Sequence, residues 1–450
     1  MNRLSKVFRP FNNEQKSIFN LSKLSKEETE VNGYKLLNNY GLIRPSANGL
    51  FYLLPMGYRV IQKLSKLIDH NMSLIGAQKM QSPLLIKESL WKNDETLIDE
   101  RDDLYVITDR TKNHFVLSPT HEESFADLLS HEQLSYRNFP LLLYQITPKF
   151  RDEFRPKLGL LRSKEFIMKD LYSFDIDEEN ARKTYDKVTA AYQKIFTALN
   201  VPYFINSCEK DSKSIISHEY YYSCDRGDDK LYTCGVCHSI CGASLLKDRT
   251  LCPNCSYTLK PEWYNNGVEV AHTFYFGTRY SDRLKSMYVD KDGKKKPLHM
   301  CSYGIGISRI FSAVVELLST PKELRWSPCI APYTVCVIPP KDGSRDEIRV
   351  EMIMPELYSL LESIPNLKDD VIIDDRPDKT IGGRLRDAKA CGFSFIIVAG
   401  KDATKNTPLF ELYDLYNDKK YLMPRSTLLH YLVDRTKYLS EEKEKIGYLS

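Results

Sequence analysis

The stretch KFRDEFRPKLGLLRSKEFIMKDLYSFD, from Lys149 to Asp175, narrows what this chain can become more than any other part of it. Apolar residues flank a loop bearing Pro156 and Gly159, so the stretch reads as strand, loop and returning strand. Residues two apart on an extended strand share a face, which sets Arg151 beside Glu153. Arg162 and Phe166 follow four apart across the loop and the returning strand. Guanidinium groups make bidentate contacts with phosphate, a ring stacks on a purine, and a carboxylate accepts from an exocyclic amine. These are the parts of a nucleotide triphosphate site. Standing alone, the same residues also describe a charged sheet face laced with ion pairs.

The rest of the chain supplies the frame. Its 450 residues have room for about two or three domains and a large core. A composition of 42% hydrophobic and 28% charged residues is that of a globular protein. The net charge of +4 neither demands nor opposes a nucleic-acid partner. No run of about eighteen apolar residues occurs, so no membrane-spanning helix is expected. The 11 cysteines are too sparse for a disulfide scaffold, and the cluster between Cys224 and Cys255 points to a local metal site in a reducing compartment.

From Tyr34 the pattern runs helix, hairpin with an Asn48-Gly49 turn, and a long amphipathic helix carrying Val60, Ile61, Leu64, Leu67 and Ile68 at helical spacing. LYVITD and HFVLSPT read as antiparallel strands, Asp177 to Leu199 as a helix, and PYFINS and GVEVAHTFYFGTRYS as strands. HMCSYGIGISRIFSAVVELL reads as a strand passing through glycines into an apolar helix. The sum is an α+β domain, a mostly antiparallel sheet with helices on it. Past a boundary at Pro328 to Pro332, the strands TVCVIPP, VIIDD and FSFIIVAG alternate with helices (Ile348 to Leu361 and Ile381 to Ala390), which marks a separate α/β domain.

FRDE followed by RSKEF resembles motif 2 of the class II aminoacyl-tRNA synthetases, and GIGISR (Gly304 to Arg309) opening an apolar helix resembles their motif 3. The helix and strand ending at Pro83 resemble the dimer-forming motif 1. SPTHEE, VEVAHTFYFGTRYS, SYGIGISR and DDRPDKTIGGRLRDA narrow the likeness to prolyl-tRNA synthetases of the bacterial and organellar type, over roughly Tyr34 to Leu432. The resemblance implies a catalytic domain over 34–330, with a cysteine-rich insert at 224–258, and an anticodon-binding domain over 333–450. It implies ATP with Mg²⁺, L-proline and tRNA(Pro) as ligands, and a homodimer. Arg151 would grip the α-phosphate and the proline carboxylate. Arg162 would hold the γ-phosphate, and Phe166 and Arg309 would sandwich the adenine. Glu153 would meet the adenine amino group or the tRNA end, and Glu269 the magnesium. Thr120, Glu122, His272 and Ser302 would surround the proline imino group. Lys157, Arg376, Lys379 and Arg384 would meet tRNA. A catalytically inactive synthetase-like protein, and a related class II enzyme for another amino acid, remain the alternatives.

Departures from the family pattern fall at Ala271, where a glycine is usual, and at Cys301-Ser302, where many members read Gly-Cys; both lie on strands expected to line the proline pocket. Only about ninety residues separate Asp175 from Gly267, so an editing domain of well over a hundred is expected to be absent. Cys234 and Cys237, then Cys252 and Cys255 after a gap of 14 residues, approach the paired-knuckle zinc spacing, against the plainer reading of four free thiols. At the start of an N-terminal extension over residues 1–33, the first 25 residues carry Arg3, Lys6, Arg9, Lys16 and Lys23 against Glu14 alone, amid Leu4, Val7, Phe8 and Phe11. That is the character of an organelle transit peptide or of a retained basic arm. Location in the mitochondrial matrix is expected, with bacterial cytoplasm the alternative.

Overall fold

A computed structural model describes residues 1–10, 32–92, 103–209, 214–238, 240–242, 251–252, 254–258, 260, 264–376 and 378–437. The elements that position the site are α1 (Pro55–Leu74), β1 (Leu141–Phe150), β2 (Glu165–Asp175), α2 (Glu178–Leu199), β3 (Ile216–Ser223), β4 (Tyr264–Gly277), β5 (His299–Gly306) and α3 (Ile307–Leu318). Among the described residues the strands order as β3-β4-β5-β2-β1 at the centre of one sheet, each antiparallel to its neighbour. This is the antiparallel α+β arrangement expected from the sequence.

Strand alternation divides this sheet into two faces. Leu171, Tyr303, Ile305, Cys301 and Ala271 turn to one face and join the main core with side chains of the three helices. In α1 the buried set is Val60, Ile61, Leu64, Leu67, Ile68 and Met72, one stripe at helical spacing. Each such side chain contributes about 1.5–3 kcal/mol on full burial. Helix α2 starts where the Asp177 side chain accepts a hydrogen bond from the Asn180 amide, and it stops at Asn200 in the left-handed region. The opposite face of the sheet is left for chemistry.

The second domain contributes β6 (Val335–Ile338), α4 (Glu347–Glu362), β7 (Val371–Ile373), α5 (Ile381–Ala390) and β8 (Phe395–Val398). Strand β6 lies between β7 and β8 and is parallel to both. The two domains meet at α1, where Lys63 and Arg59 lie 2.7 and 3.2 Å from the Asp370 carboxylate and the Arg59 guanidinium rests 3.8 Å over the Tyr333 ring.

The basic N-terminus is not a separate appendage in this fold. Asn2 and Arg3 pair in parallel with Ile372 and Ile373 at the edge of the second domain's sheet, and Leu4 is buried. The Ser5 hydroxyl donates to Asp375, and the Pro10 carbonyl accepts from Arg44 of the first domain. The leader-like character of the segment is therefore also that of an integral edge strand. The rest of the expected leader, residues 11–31, lies outside the described residues.

Asp175, at the end of β2, is buried, and its Oδ1 accepts a hydrogen bond from Thr184 at 3.0 Å. Burial, with the nearby Asp177 charge adding, pushes its carboxyl up to about 6. The folded value exceeds the unfolded one, so this group favours folding at low pH. That contribution is lost as pH climbs from about 4 to 6, about 1.4 kcal/mol per unit. Asp175→Asn is therefore expected to have a higher Tm than the unmodified chain at pH 7.5, the gap closing near pH 4.5. Equal Tm values at both pH values would contradict the assignment.

Candidate active site

The free face of the sheet carries its polar side chains in rows, because antiparallel register aligns residues across strands. One row runs Glu219 (β3), His272 (β4), Gly304 (β5), Asp170 (β2) and Gln145 (β1). The next holds Phe274, Ser302, Tyr172 and Leu143. On the other side lie Gly306, Met168 and Thr147. Gly304 has a steric reason: a β-carbon there would sit 2.7 Å from both His272 Nε2 and Met168 Cε. These two side chains close over the strand only because it carries none.

Beyond the Gly306 end of the face opens a cavity of about 430 Å³, lined by Arg151, Glu153, Arg162, Phe166, Glu269, His272 and Arg309 among others. Arg151 follows the end of β1, Arg162 stands at the foot of the motif loop, and Arg309 lies in the first turn of α3. Three guanidiniums from three separate elements thus converge on one concavity. Arg162 Nε is 2.7 Å from Glu153 Oε2, and its Nη1 is 3.5 Å from Asp228 Oδ2. The Arg151 guanidinium lies 5.3 Å from the Phe166 ring centroid. Arg309 Nη1 donates to the Glu269 carbonyl oxygen at 2.7 Å.

Glu269 Oε1 lies 3.0 Å from His272 Nδ1. Burial would raise the Glu269 carboxyl, but the His272 ring and the Arg309 and Arg151 guanidiniums outweigh it and hold it down at about 2. Four acids in the cavity carry no signal in the sequence reading: Asp103, Glu219, Asp228 and Asp229. Asp228 accepts from Lys157 at 2.6 Å, and Asp229 Oδ2 accepts from the Glu269 amide at 2.7 Å. The burial of Glu219, with Glu269 adding, raises its carboxyl above the usual range.

The expected proline-site residues divide into two groups. Thr120, Glu122 and Ser302 come together one row beyond Gly304, where both Glu122 oxygens accept hydrogen bonds, Oε2 from Thr120 and Oε1 from Ser302 at 2.7 Å. His272 stands in the neighbouring row on the cavity wall, bonded to Glu269 instead. Ala271 packs against the main core and also lines the cavity. The thiol of Cys301 turns to the core on the opposite face, contrary to the expectation from the sequence, whereas Ser302 faces the site.

In the second domain Arg384 corrects a sequence expectation outright. It is 1% exposed, and its guanidinium donates to the Asp374 and Pro339 carbonyl oxygens at 2.8 and 2.7 Å. A side chain committed to two interior carbonyls does not reach an RNA phosphate. Arg376 is largely covered and makes a bidentate pair with Asp374, while Lys379 bonds Asp387 at 2.6 Å. Lys157 and Lys379 remain substantially exposed, as does Arg386 on α5.

The four expected metal ligands gather. The Sγ atoms of Cys234, Cys237, Cys252 and Cys255 all lie within 4.8 Å of one another, and among the described residues no other group of three or more potential ligands is as tight. The Cys234–Cys255 and Cys237–Cys252 separations are 3.6 and 3.8 Å. A tetrahedron of sulfurs at about 2.3 Å from zinc has edges of about 3.8 Å. The donor set therefore fits. The remaining described residues between Asp175 and Gly267 build α2, β3 and short strands paired with the main sheet.

Residues 105–317 match the tRNA synthetase class II core domain (G, H, P, S and T), and residues 334–435 match the anticodon binding domain. Fold and site together thus define a class II aminoacyl-tRNA synthetase. A mouse protein named "Probable proline--tRNA ligase, mitochondrial" is 38% identical over 91% of this chain and 86% of its own length. The human protein of the same name is also 38% identical, with the same coverage. A solved Giardia lamblia prolyl-tRNA synthetase in complex with prolyl-adenylate shares the fold, with a TM-score of 0.73 at 17% identity, over 88% of this chain and 73% of that one. The chain belongs to the proline--tRNA ligase family.

Proposed function

We propose that the chain joins L-proline to tRNA(Pro) in two steps, using ATP with its Mg²⁺ as substrate. The observation that carries this reading is the convergence of Arg151, Arg162 and Arg309 with Phe166 on one cavity. The proline carboxylate attacks the α-phosphorus, a P–O bond forms, and pyrophosphate leaves. The terminal ribose hydroxyl of the tRNA then attacks the prolyl carbonyl, and AMP leaves. Neither step needs a side-chain nucleophile; the site supplies positioning and charge. Arg151 balances charge at the α-phosphate and Arg162 at the γ-phosphate once it exchanges Glu153 for phosphate. Phe166 and Arg309 flank the adenine, and Glu269 with the neighbouring acids faces the metal carried by ATP.

The imino group, a secondary ammonium with two N–H donors, matches the acceptors of Thr120 and Glu122. Reaching them from the cavity means passing the closed pair of His272 and Met168. Lys157, Lys379 and the rim of Arg376 are assigned to tRNA contact, and the mitochondrial matrix is the proposed location, consistent with the names of the relatives. No helix among the described residues is long and apolar enough to cross a membrane. A homodimer, suggested by the motif 1 likeness of α1, would have about twice the chain mass of 52.2 kDa in light scattering. The decisive experiment is ATP–pyrophosphate exchange with a panel of amino acids. Proline should stimulate exchange most and alanine weakly; stimulation by another amino acid alone would overturn the reading. Ala-tRNA should not be deacylated by the protein, since the segment from Asp175 to Gly267 is too short for an editing domain, and some mischarging with alanine should result because one small apolar side chain is hard to reject by binding alone.

We also infer that the four thiols hold one structural Zn²⁺, with no ligand position left for chemistry. Purified protein is expected to contain about one zinc per chain by metal analysis, reduced to background in Cys252→Ser, with a lower Tm after chelation. A metal-free protein with an unchanged Tm would remove the site from the account.

A further inference from the structure

Close to the Thr120–Glu122 turn lies a buried charged pair. Lys149 is 0% and Asp170 2% exposed, with Lys149 Nζ 2.9 Å from Asp170 Oδ1. Burying two charges is expensive, and a pair of apolar side chains often serves stability as well or better. A buried pair kept beside a substrate site therefore invites a functional explanation. Burial alone would raise the Asp170 carboxyl, but the Lys149 ammonium and the Gln145 amide outweigh it and hold it well below the carboxylate range. It is a fixed anion on the site face of the sheet.

Its bonds run in one direction. Lys149 Nζ donates to His121 Nδ1 at 2.9 Å and to Thr147 Oγ1 at 2.8 Å. With Nδ1 accepting, the ring's donor is Nε2, which faces the Pro83 carbonyl at 3.0 Å. Asp170 Oδ2 accepts from Gln145 Nε2 at 2.9 Å and from the Tyr172 hydroxyl at 3.0 Å. The Tyr172 oxygen in turn accepts from the His121 amide at 2.9 Å and lies 3.2 Å from Thr120 Oγ1. A hydroxyl has one proton. Tyr172 gives its proton to Asp170 and Thr120 gives its own to Glu122, so the Thr120 oxygen keeps a lone pair for an incoming N–H. Residue 121 is thus gripped at its backbone by Tyr172 and at both ring nitrogens, between the two residues assigned to the imino group.

We propose that Asp170, together with Lys149 and Tyr172, is a positioning unit for the imino-acid subsite: it fixes the rotamer of Thr120 and the direction of the Glu122 carboxylate, and so sets proline affinity and the preference for proline over alanine. The unit touches neither substrate. The inference rests on the activity proposed above.

The test uses the full chain in ATP–pyrophosphate exchange, varying proline and ATP separately. Tyr172→Phe removes one oxygen and keeps a ring packed 4.4 Å from Phe125. Its KM for proline should rise about tenfold, on the scale of one lost hydrogen bond, with the KM for ATP within about twofold. Its preference for proline over alanine should fall in parallel. The double variant Lys149→Met/Asp170→Leu removes both charges at similar volume and should keep or raise Tm while showing the same selective loss for proline. An unchanged proline KM in either folded variant, or equal rises in both KM values, would overturn the proposal. An unmodified chain without proline-dependent exchange overturns the activity reading and this one with it; an active chain with indifferent variants overturns this one alone.

Discussion

Arg151→Ala is expected to lower proline-dependent pyrophosphate exchange by at least about 10²- to 10³-fold, the scale of removing one pre-organised donor to a developing oxyanion. Arg151 directly follows the last residue of a ten-residue strand paired along its length with β2, so its guanidinium enters the cavity from a rigid support. Its ring neighbour Phe166 lies on β2, paired through Lys149 to the same strand. The loss should fall on kcat, because charge at the α-phosphorus builds up in the transition state. Arg162 differs. It is already paired with Glu153 and Asp228 in this structure, so Arg162→Ala should act mainly through the KM for ATP. Near-normal exchange by Arg151→Ala, with its Tm preserved, would refute the site.

The second large effect concerns stability. Asp374 is fully buried and binds Arg376 through both oxygens, Nε at 2.8 Å and Nη2 at 2.6 Å. Its backbone carbonyl also takes the buried Arg384 guanidinium. Burial alone would lower Arg376, but Asp374 and Asp387 outweigh it and hold the guanidinium charged. Asp374→Ala removes the two bonds from Asp374 and leaves Arg376 with Asp387, 2.8 Å from Nη1, at a cost of about 1.5–3 kcal/mol, the scale of a lost hydrogen bond to a charged group. The second domain should melt earlier and proline activation, which takes place in the first, should survive below that transition. Differential scanning calorimetry with exchange assays on one sample separates the two. A single unshifted transition would contradict the pairing.

Much of the fold was legible because its signals are local. Helical spacing marked α1, the helix expected from Asp177 to Leu199 is α2, and Asn48-Gly49 marked a turn whose glycine has a positive φ of 77°. The motif residues around the nucleotide cavity were legible for a different reason, since their chemistry is tied to short spacings. What escaped depends on register between strands far apart in sequence. Glu219 meets His272 only because β3 pairs with β4, and period-two alternation within one strand says nothing about its neighbour. Cys301 was misplaced for a related reason, since being on a lining strand leaves the choice of face open. Arg384 was readable in principle. With Ala388 and Cys391 it follows i, i+4, i+7 spacing, and that face is the buried one. Its charge drew attention away from its position.

The pairing of Asn2 and Arg3 with Ile372 and Ile373 joins two segments that lie some 370 positions apart in the chain. Forming that pair means a long loop closure, which raises the contact order of the fold. It also bears on dissection of the molecule. A fragment cut at the domain boundary would expose the β7 edge and the Leu4 contact site, a bare rim open to pairing with strangers. The anticodon-binding portion is thus a unit in shape but not in sequence, and any version of it expressed alone should carry residues 1–10 in trans or by fusion.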